Sequence, residues 1–337
     1  MAKVVSRILL DKIKKFLKLR KLFSNWFFTL IEYKVLERPV IAVRCKDGST
    51  IEISRYLYVQ LTEVFERWNV IGCAGGSLEL NMGKEKYSVP LKEMDHVARG
   101  AEAVLRAIES GWIYRGQYWE KGDVKFVHMR WPIIETFEEG QYDVMDVKGR
   151  HVVDVGAFIG DSAIRFALRG AEKVYAVEPH PLAFRELVEN IELNGLVSRV
   201  VPINAGITYS GTTVAITDVD PWKAGASFYR TGESAVAVPG KTLAQLVEEY
   251  VIKPDALKMD CEGCEYDVIL KDYGTVLQFE QVLFEYHPAP AGLKPSKLLD
   301  VMARNFVCRS INERFYVKYW PGFDKEEFGA YYCVKRR

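Results

Sequence analysis

The amino-acid sequence predicts an α/β protein: a Rossmann-like, mostly parallel seven-stranded sheet with an antiparallel C-terminal edge, preceded by an α+β appendage. Three stretches carry that expectation. His151–Gly160 reads HVVDVGAFIG, an apolar β-branched run that enters a glycine turn and then a helix from Ser162 to Leu168. Lys173–Val177 is a second apolar strand and ends in Glu178. Ala256–Met259 is another, and Asp260, Glu262 and Glu265 crowd the turn that follows it. Polar groups at the carboxyl ends of parallel strands line the crevice where such sheets bind ligands.

The remaining elements follow in order. Residues 1–31 read as one basic amphipathic helix, with Leu9, Ile13, Phe16, Leu17, Phe23, Trp26, Phe27 and Leu30 at helical spacing among lysines. Two readings stand for it: a helix docked on its own domain with a solvated lysine face, or a peripheral anchor on anionic lipid. Residues 32–132 form the α+β region. A hairpin of Val40–Arg44 and Thr50–Ile53 turns at Lys46-Asp47-Gly48. Tyr56–Trp68 is a helix, Ser77–Leu80 and Tyr87–Pro90 are strands, and Glu93–Ile108 is a second helix. Trp112–Tyr114 and Val124–Met129 are strand-like, and the aromatic residues here suit an ordinary core better than a substrate groove.

Residues 133–337 form the main domain. Ile133–Tyr142 is placed to fold over a ligand, and two readings stand equally for Tyr142 and Phe137: contact with that ligand, or simple packing. Pro181–Asn194 is a helix closed by Asn194-Gly195. Arg199–Ile203 is a strand that delivers Asn204 and Ala205 to the rim. Ile207–Thr217 and Ser234–Val238 are strands of an insertion, and Trp222–Phe228 is a loop at its mouth. Lys241–Tyr250 and Tyr266–Leu277 are helices. Gln281–Tyr286 is a buried strand that ends in His287-Pro288. After a helix at Ser296–Arg304, three closing strands are expected: Phe306–Ile311, Arg314–Tyr319 and Tyr331–Lys335.

Composition sets outer bounds. The 337 residues suffice for one large or two ordinary domains, and a formal net charge of +1 gives no global field for nucleic acid. No apolar run is long enough to span a bilayer and no signal peptide is visible, so a cytoplasmic location is expected. Scarce Asn and Gln beside abundant Glu, Lys and Arg suit a thermophilic source. Of the six cysteines, Cys261 and Cys264 form C-x-x-C without the second pair a zinc site needs, so no metal ligand set is expected there. They read as small apolar residues beside a strand end. Cys308 and Cys333 lie in segments able to meet across the sheet.

The glycine turn discriminates between adenosine ligands. A dinucleotide fingerprint wants a glycine where Phe158 stands, and Asp154 and Asp161 flank the turn with charges that repel phosphates. The same carboxylates suit the sulfonium and ammonium groups of S-adenosylmethionine. Glu178 is placed to accept hydrogen bonds from both ribose hydroxyls. The cofactor residues expected on this reading are Asp154, Gly156, Ala157, Phe158, Gly160, Asp161, Glu178, Pro179, Asn204, Ala205 and Asp260. Asp260, Glu262 and His287 are the catalytic candidates. Glu265 reads as a favourable charge in the first turn of a helix.

With these motifs in hand, the chain resembles the FkbM family of S-adenosylmethionine-dependent methyltransferases. VVDVGAFIGDSA, AVEPHP, ENIELNG, LKMDCEGCEYDVIL and FEYHP carry the resemblance, over roughly residues 133–290. It implies a class I methyltransferase fold and methyl transfer to a hydroxyl of a sugar, glycan or other small molecule. It further implies that Asp154, Gly156 and Gly160 hold the methionine part, that Glu178 holds the ribose, and that Asp260, Glu262 and His287 border the acceptor. Two rivals stand. A tRNA methyltransferase would carry N-P-P-aromatic where this chain has Asp260-Cys261-Glu262-Gly263, and a cofactor-binding scaffold without activity has no need of the acidic cluster.

Overall fold

The computed structural model describes residues 15–82, 85–95, 99–217, 235–319, 324–325 and 327–337. The expected loop Trp222–Phe228 lies outside them. The chain forms two compact units, residues 1–122 with 128–134, and residues 123–127 with 135–337.

In the first unit, Val40–Arg44 pairs antiparallel with Thr50–Ser54. The helix Arg55–Arg67 starts where the Ser54 side chain accepts the Leu57 N–H. A strand at Asn69–Ala74, unforeseen from the sequence, joins Ser77–Met82 and Glu85–Pro90 in an antiparallel sheet. Cys45 and Cys73 are disulfide-bonded. Two expected helices are broken. Residues 15–31 are not one helix: a 3₁₀ turn, Lys18–Lys21, is followed by a separate helix, Trp26–Lys34. Between them Phe23 bridges to Cys45 and the Ser24 N–H bonds to the Arg44 carbonyl, so the hairpin pulls the chain out of helical geometry. The stretch from Glu93 divides into Leu91–Met94 and Gly100–Glu109. Asp95 leaves the helical path to accept hydrogen bonds from the Ser54 N–H and hydroxyl, and Arg99 has φ +58°.

The second unit holds β1 (His151–Val155), β2 (Lys173–Val177), β3 (Val200–Ile203), β4 (Ala256–Met259), β5 (Gln281–Tyr286), β6 (Phe306–Ser310) and β7 (Gly329–Lys335). Their order in the seven-stranded sheet is β3-β2-β1-β4-β5-β7-β6. β1 to β5 pair in parallel, and β7 runs antiparallel to both neighbours, the mostly parallel sheet with an antiparallel C-terminal edge that the sequence predicts. Helices α1 (Asp161–Leu168), α2 (Pro181–Leu193), α3 (Leu243–Glu249), α4 (Cys264–Lys271) and α5 (Ser296–Met302) connect or flank the strands. β1, β4 and β5 are buried along their whole length, which is why they read as continuous apolar runs.

Strand order reverses direction of growth between β1 and β4, whose last residues Val155 and Met259 are cross-strand partners. That switch point brings the turn after β1 against the turn after β4. Two side features differ from expectation. Arg314–Tyr319 is not a strand: the Phe315 and Val317 N–H groups bond to Ile311 and Asn312, and a helical turn forms at Tyr316–Tyr319. Cys308 and Cys333 face each other across β6 and β7 and are disulfide-bonded. Among the described residues, no helix is long and apolar enough to cross a membrane.

Candidate active site

The turn after β1 is held from behind by buried charge. Asp154 and Lys258 are cross-strand partners on β1 and β4, both essentially inaccessible, with Nζ 3.0 Å from Oδ1. A buried ammonium needs its hydrogen bonds satisfied. Lys258 Nζ also donates to the Gly156 carbonyl at 2.9 Å, and Ser162 donates its hydroxyl to Asp154 Oδ2 at 2.6 Å. Burial works against the Lys258 charge, yet Asp154, Asp260 and Asp161 outweigh it and raise its pKa. One ion pair thus fixes the turn, the start of α1 and the end of β4.

Gly156 has φ +79°, and a Cβ there would lie 1.8 Å from the Asp260 carbonyl oxygen. The two turns approach so closely that only glycine fits. The Gly156 and Ala157 N–H groups both bond to the Val177 carbonyl, at 2.9 and 3.0 Å. Phe158, at φ +47°, donates its N–H to Glu178 Oε2 at 2.9 Å. Gly160, at φ +87°, is the N-cap of α1. Asp161 opens that helix, and its Oδ2 accepts the Thr136 hydroxyl at 2.6 Å. Burial raises the Asp161 pKa to about 6.

Glu178 follows β2 and is 6% exposed. Its second oxygen accepts the His180 N–H at 2.8 Å. Burial raises its pKa to about 7, against the pull of the His180 and Phe158 N–H groups. A carboxylate has about four lone-pair directions, so two acceptor positions remain for a ligand. Asn204 braces this rim by donating to the Glu178 and Pro179 carbonyls at 2.9 and 3.1 Å, while Ala205 is fully buried.

The turn after β4 is built differently. Glu262 (φ +55°) and Gly263 (φ +116°) turn the chain sharply, and Cys261 and Cys264 are disulfide-bonded across it. The cysteines therefore close the turn on itself, where the sequence reading had them as unlinked apolar residues. Glu265 is fully buried. Its Oε2 accepts the Gly263 N–H at 2.6 Å, and its Oε1 lies 2.7 Å from His287 Nδ1. It does more than offset a helix dipole: it orients an imidazole. Glu262 Oε2 lies 3.9 Å from His287 Nε2. Burial lowers the His287 pKa, but Glu262, Glu265 and Asp260 win and hold it well above its ordinary value.

Beside this pair, Tyr142 places its hydroxyl 3.0 Å from Asp260 Oδ2 and 3.0 Å from Glu285 Oε1. Glu285, the second-to-last residue of β5, also accepts a hydrogen bond from the Gln141 amide. Burial and then Asp260 push the Glu285 pKa upward. One donor atom each of Asp260, Glu285 and His287 lies within 4.8 Å of the others, a span that one divalent cation reaches.

The expected residues thus gather at one rim with two differences of role. Asp154 is committed to Lys258 and Ser162, so it acts on the turn from beneath instead of facing a ligand. Phe137 packs against Phe126 with ring centroids 5.5 Å apart. Lys258, Glu265 and Glu285 were not singled out as active from the sequence. The signal for two of them was available: a charged residue inside a fully apolar strand, ALKM and VLFEY, must find a buried partner.

Comparison with known proteins bears on this rim. Residues 154–308 match the methyltransferase FkbM domain. That span runs from Asp154 through the β4 turn and His287 to β6 and leaves the first unit outside. The hexuronic acid methyltransferase AglP of Haloferax volcanii is 26% identical over 151 residues, 44% of this chain and 60% of that protein. A ribosomal protein L11 methyltransferase of a Geobacter species is 51% identical over 51 residues, 15% of this chain. The chain spans only 17% of that relative's length. The crystal structure of an FkbM methyltransferase from Methylobacillus flagellatus superposes with a TM-score of 0.37 at 14% identity, covering 57% of this chain and 46% of that one.

Proposed function

We propose that the protein transfers a methyl group from S-adenosylmethionine to an oxygen of a sugar or another small molecule. The observation that supports this reading best is the meeting, at the β1–β4 switch point, of a glycine turn backed by Glu178 with a turn that gathers Asp260, Glu265 and His287. The donor set fits the cofactor: an acid at the end of β2 for ribose hydroxyls, a glycine turn at a helix start, and Phe158 where a pyrophosphate would need open backbone. The match to the FkbM domain and the hexuronic acid methyltransferase relative point the same way.

S-Adenosylmethionine supplies a methyl group already activated by its sulfonium, so the protein's task is to position and deprotonate the acceptor. Glu178 would hold the cofactor by accepting from its ribose hydroxyls with the remaining lone pairs. Asp260 is the general base: its carboxylate is oriented by the Tyr142 hydroxyl and sits where β4 opens onto the glycine turn. Glu262, Glu265 and Asp260 outweigh burial and favour the protonated, positively charged form of His287. That charge stabilises the oxygen as its proton moves to Asp260. A base contributes about 10²–10⁴-fold.

The test is transfer of labelled methyl from S-adenosylmethionine to a panel of neutral sugars, uronic acids and tRNA. Label in a sugar, absent with Asp260→Asn, supports the reading. Label in tRNA alone would replace it with the RNA-directed alternative.

A further inference from the structure

The helix Trp26–Lys34 turns its apolar residues the wrong way for a free-standing soluble unit. Its inner side is anchored: Thr29 is fully buried and its hydroxyl is 3.0 Å from that of Tyr58. The Asn25 side chain, just before the helix, bonds to the Ala42 carbonyl and the Arg44 N–H, both at 2.8 Å. With that side fixed, 100° per residue sends Phe27 and Phe28 outward. They are 55% and 69% exposed. The rings of Trp26 and Phe27 are 5.8 Å apart and those of Phe27 and Phe28 6.1 Å, so they form one continuous aromatic ridge. Val35 and Leu36, 70% and 54% exposed, extend it beyond the helix.

Charge around the ridge is one-sided. Residues 15–38 hold six basic side chains (Lys15, Lys18, Arg20, Lys21, Lys34, Arg38) against two acidic ones (Glu32, Glu37), in a chain whose totals are 46 and 45. Arg20 and Lys21 are exposed on the turn that ends four residues before the helix. Exposed phenyl rings on this helix, with exposed cations on the turn that comes before it in the chain, form a combination that needs no pocket in its partner. It suits a deformable surface in which rings enter the headgroup layer and cations meet phosphates.

We infer that this ridge, with the Lys18–Lys21 turn, docks the protein on a membrane surface bearing anionic lipid. The inference stands on the first unit alone and does not depend on the methyl-transfer reading.

The experiment is co-sedimentation of the full chain with phosphatidylcholine vesicles, with and without phosphatidylglycerol, across a salt series. Light scattering reports the oligomeric state in parallel. Binding is expected to the phosphatidylglycerol vesicles only, falling as salt screens the cations. It is expected to be lost in Phe27→Ser/Phe28→Ser and weakened at least tenfold in Arg20→Glu/Lys21→Glu. Both pairs are exposed, and an unchanged melting midpoint confirms that each variant is folded. Binding to neither vesicle, equal binding to both, or a dimer that the Phe27→Ser/Phe28→Ser pair dissolves would each overturn the inference.

Discussion

The turns after β1 and β4 lie against each other at the same sheet rim but use their residues in opposite ways. In the first, side chains are spent on shape: Asp154 is taken by Lys258 and Ser162, Asp161 by Thr136, and Glu178 ties down the Phe158 N–H. What that turn offers a ligand is chiefly backbone, a helix start and the spare lone pairs of Glu178. In the second, shape comes from a disulfide, two left-handed residues and the Gly263 N–H held by Glu265. Its carboxylates then face an imidazole and one another. On the proposed function, one turn is a holder and the other a charged working face. A cofactor that brings its own activated group needs the first, and an acceptor that must lose a proton needs the second.

That division can be broken where the two turns touch. Gly156→Ala forces a Cβ to 1.8 Å from the Asp260 carbonyl at a φ of +79°, so neither turn keeps its position. Overpacking and backbone strain together cost on the order of 3 kcal/mol. The variant is expected to melt well below the wild type and to lose both cofactor binding and turnover. An unperturbed melting curve would refute the close packing of the turns.

Asp260→Asn separates them. It keeps the shape of the carboxylate and removes its basicity, so turnover is expected to fall about 10²–10⁴-fold while S-adenosylmethionine binds as before. Single-turnover kinetics beside a binding titration measure both. Equal losses in the two would move Asp260 to the holder.

A subtler probe is Glu265→Gln. Burial works against the charge on His287, but Glu262, Glu265 and Asp260 raise its pKa well above the ordinary value, so the protonated form that the proposed mechanism uses persists as pH rises through the ordinary histidine range. Removing the Glu265 charge lowers that pKa. The alkaline limb of the rate profile is then expected to move toward neutrality, with little change in rate at pH 6. An unmoved limb would make Glu265 a structural residue only.

The same contrast governs what could be read from the sequence. β1, β2, β4 and β5 were legible because burial on both faces leaves a continuous apolar signature, and the glycine turn and Glu178 because their spacing is local. The break at Asp95 was not, since it depends on Ser54, 41 positions away. Nor was the Arg314–Tyr319 turn, whose aromatic alternation mimics a strand until the Asn312 side chain accepts the Ala330 N–H. Glu265 looked like a first-turn acid because only the fold brings His287, 22 positions on, to its carboxylate. Local pattern predicted the holder better than the working face, whose members meet only through the sheet.

The most direct test of the account is calorimetric titration of S-adenosylmethionine and its demethylated product into the wild type and Glu178→Ala, repeated from pH 6 to pH 8. Glu178 has a pKa of about 7 when the site is free, and only its ionised form accepts from both ribose hydroxyls. Affinity of the wild type is therefore expected to rise with pH across that window, and binding to Glu178→Ala to be largely lost throughout. Failure of either compound to bind the wild type would contradict the cofactor assignment. Equal, pH-independent binding to both proteins would place the adenosine elsewhere than at the end of β2.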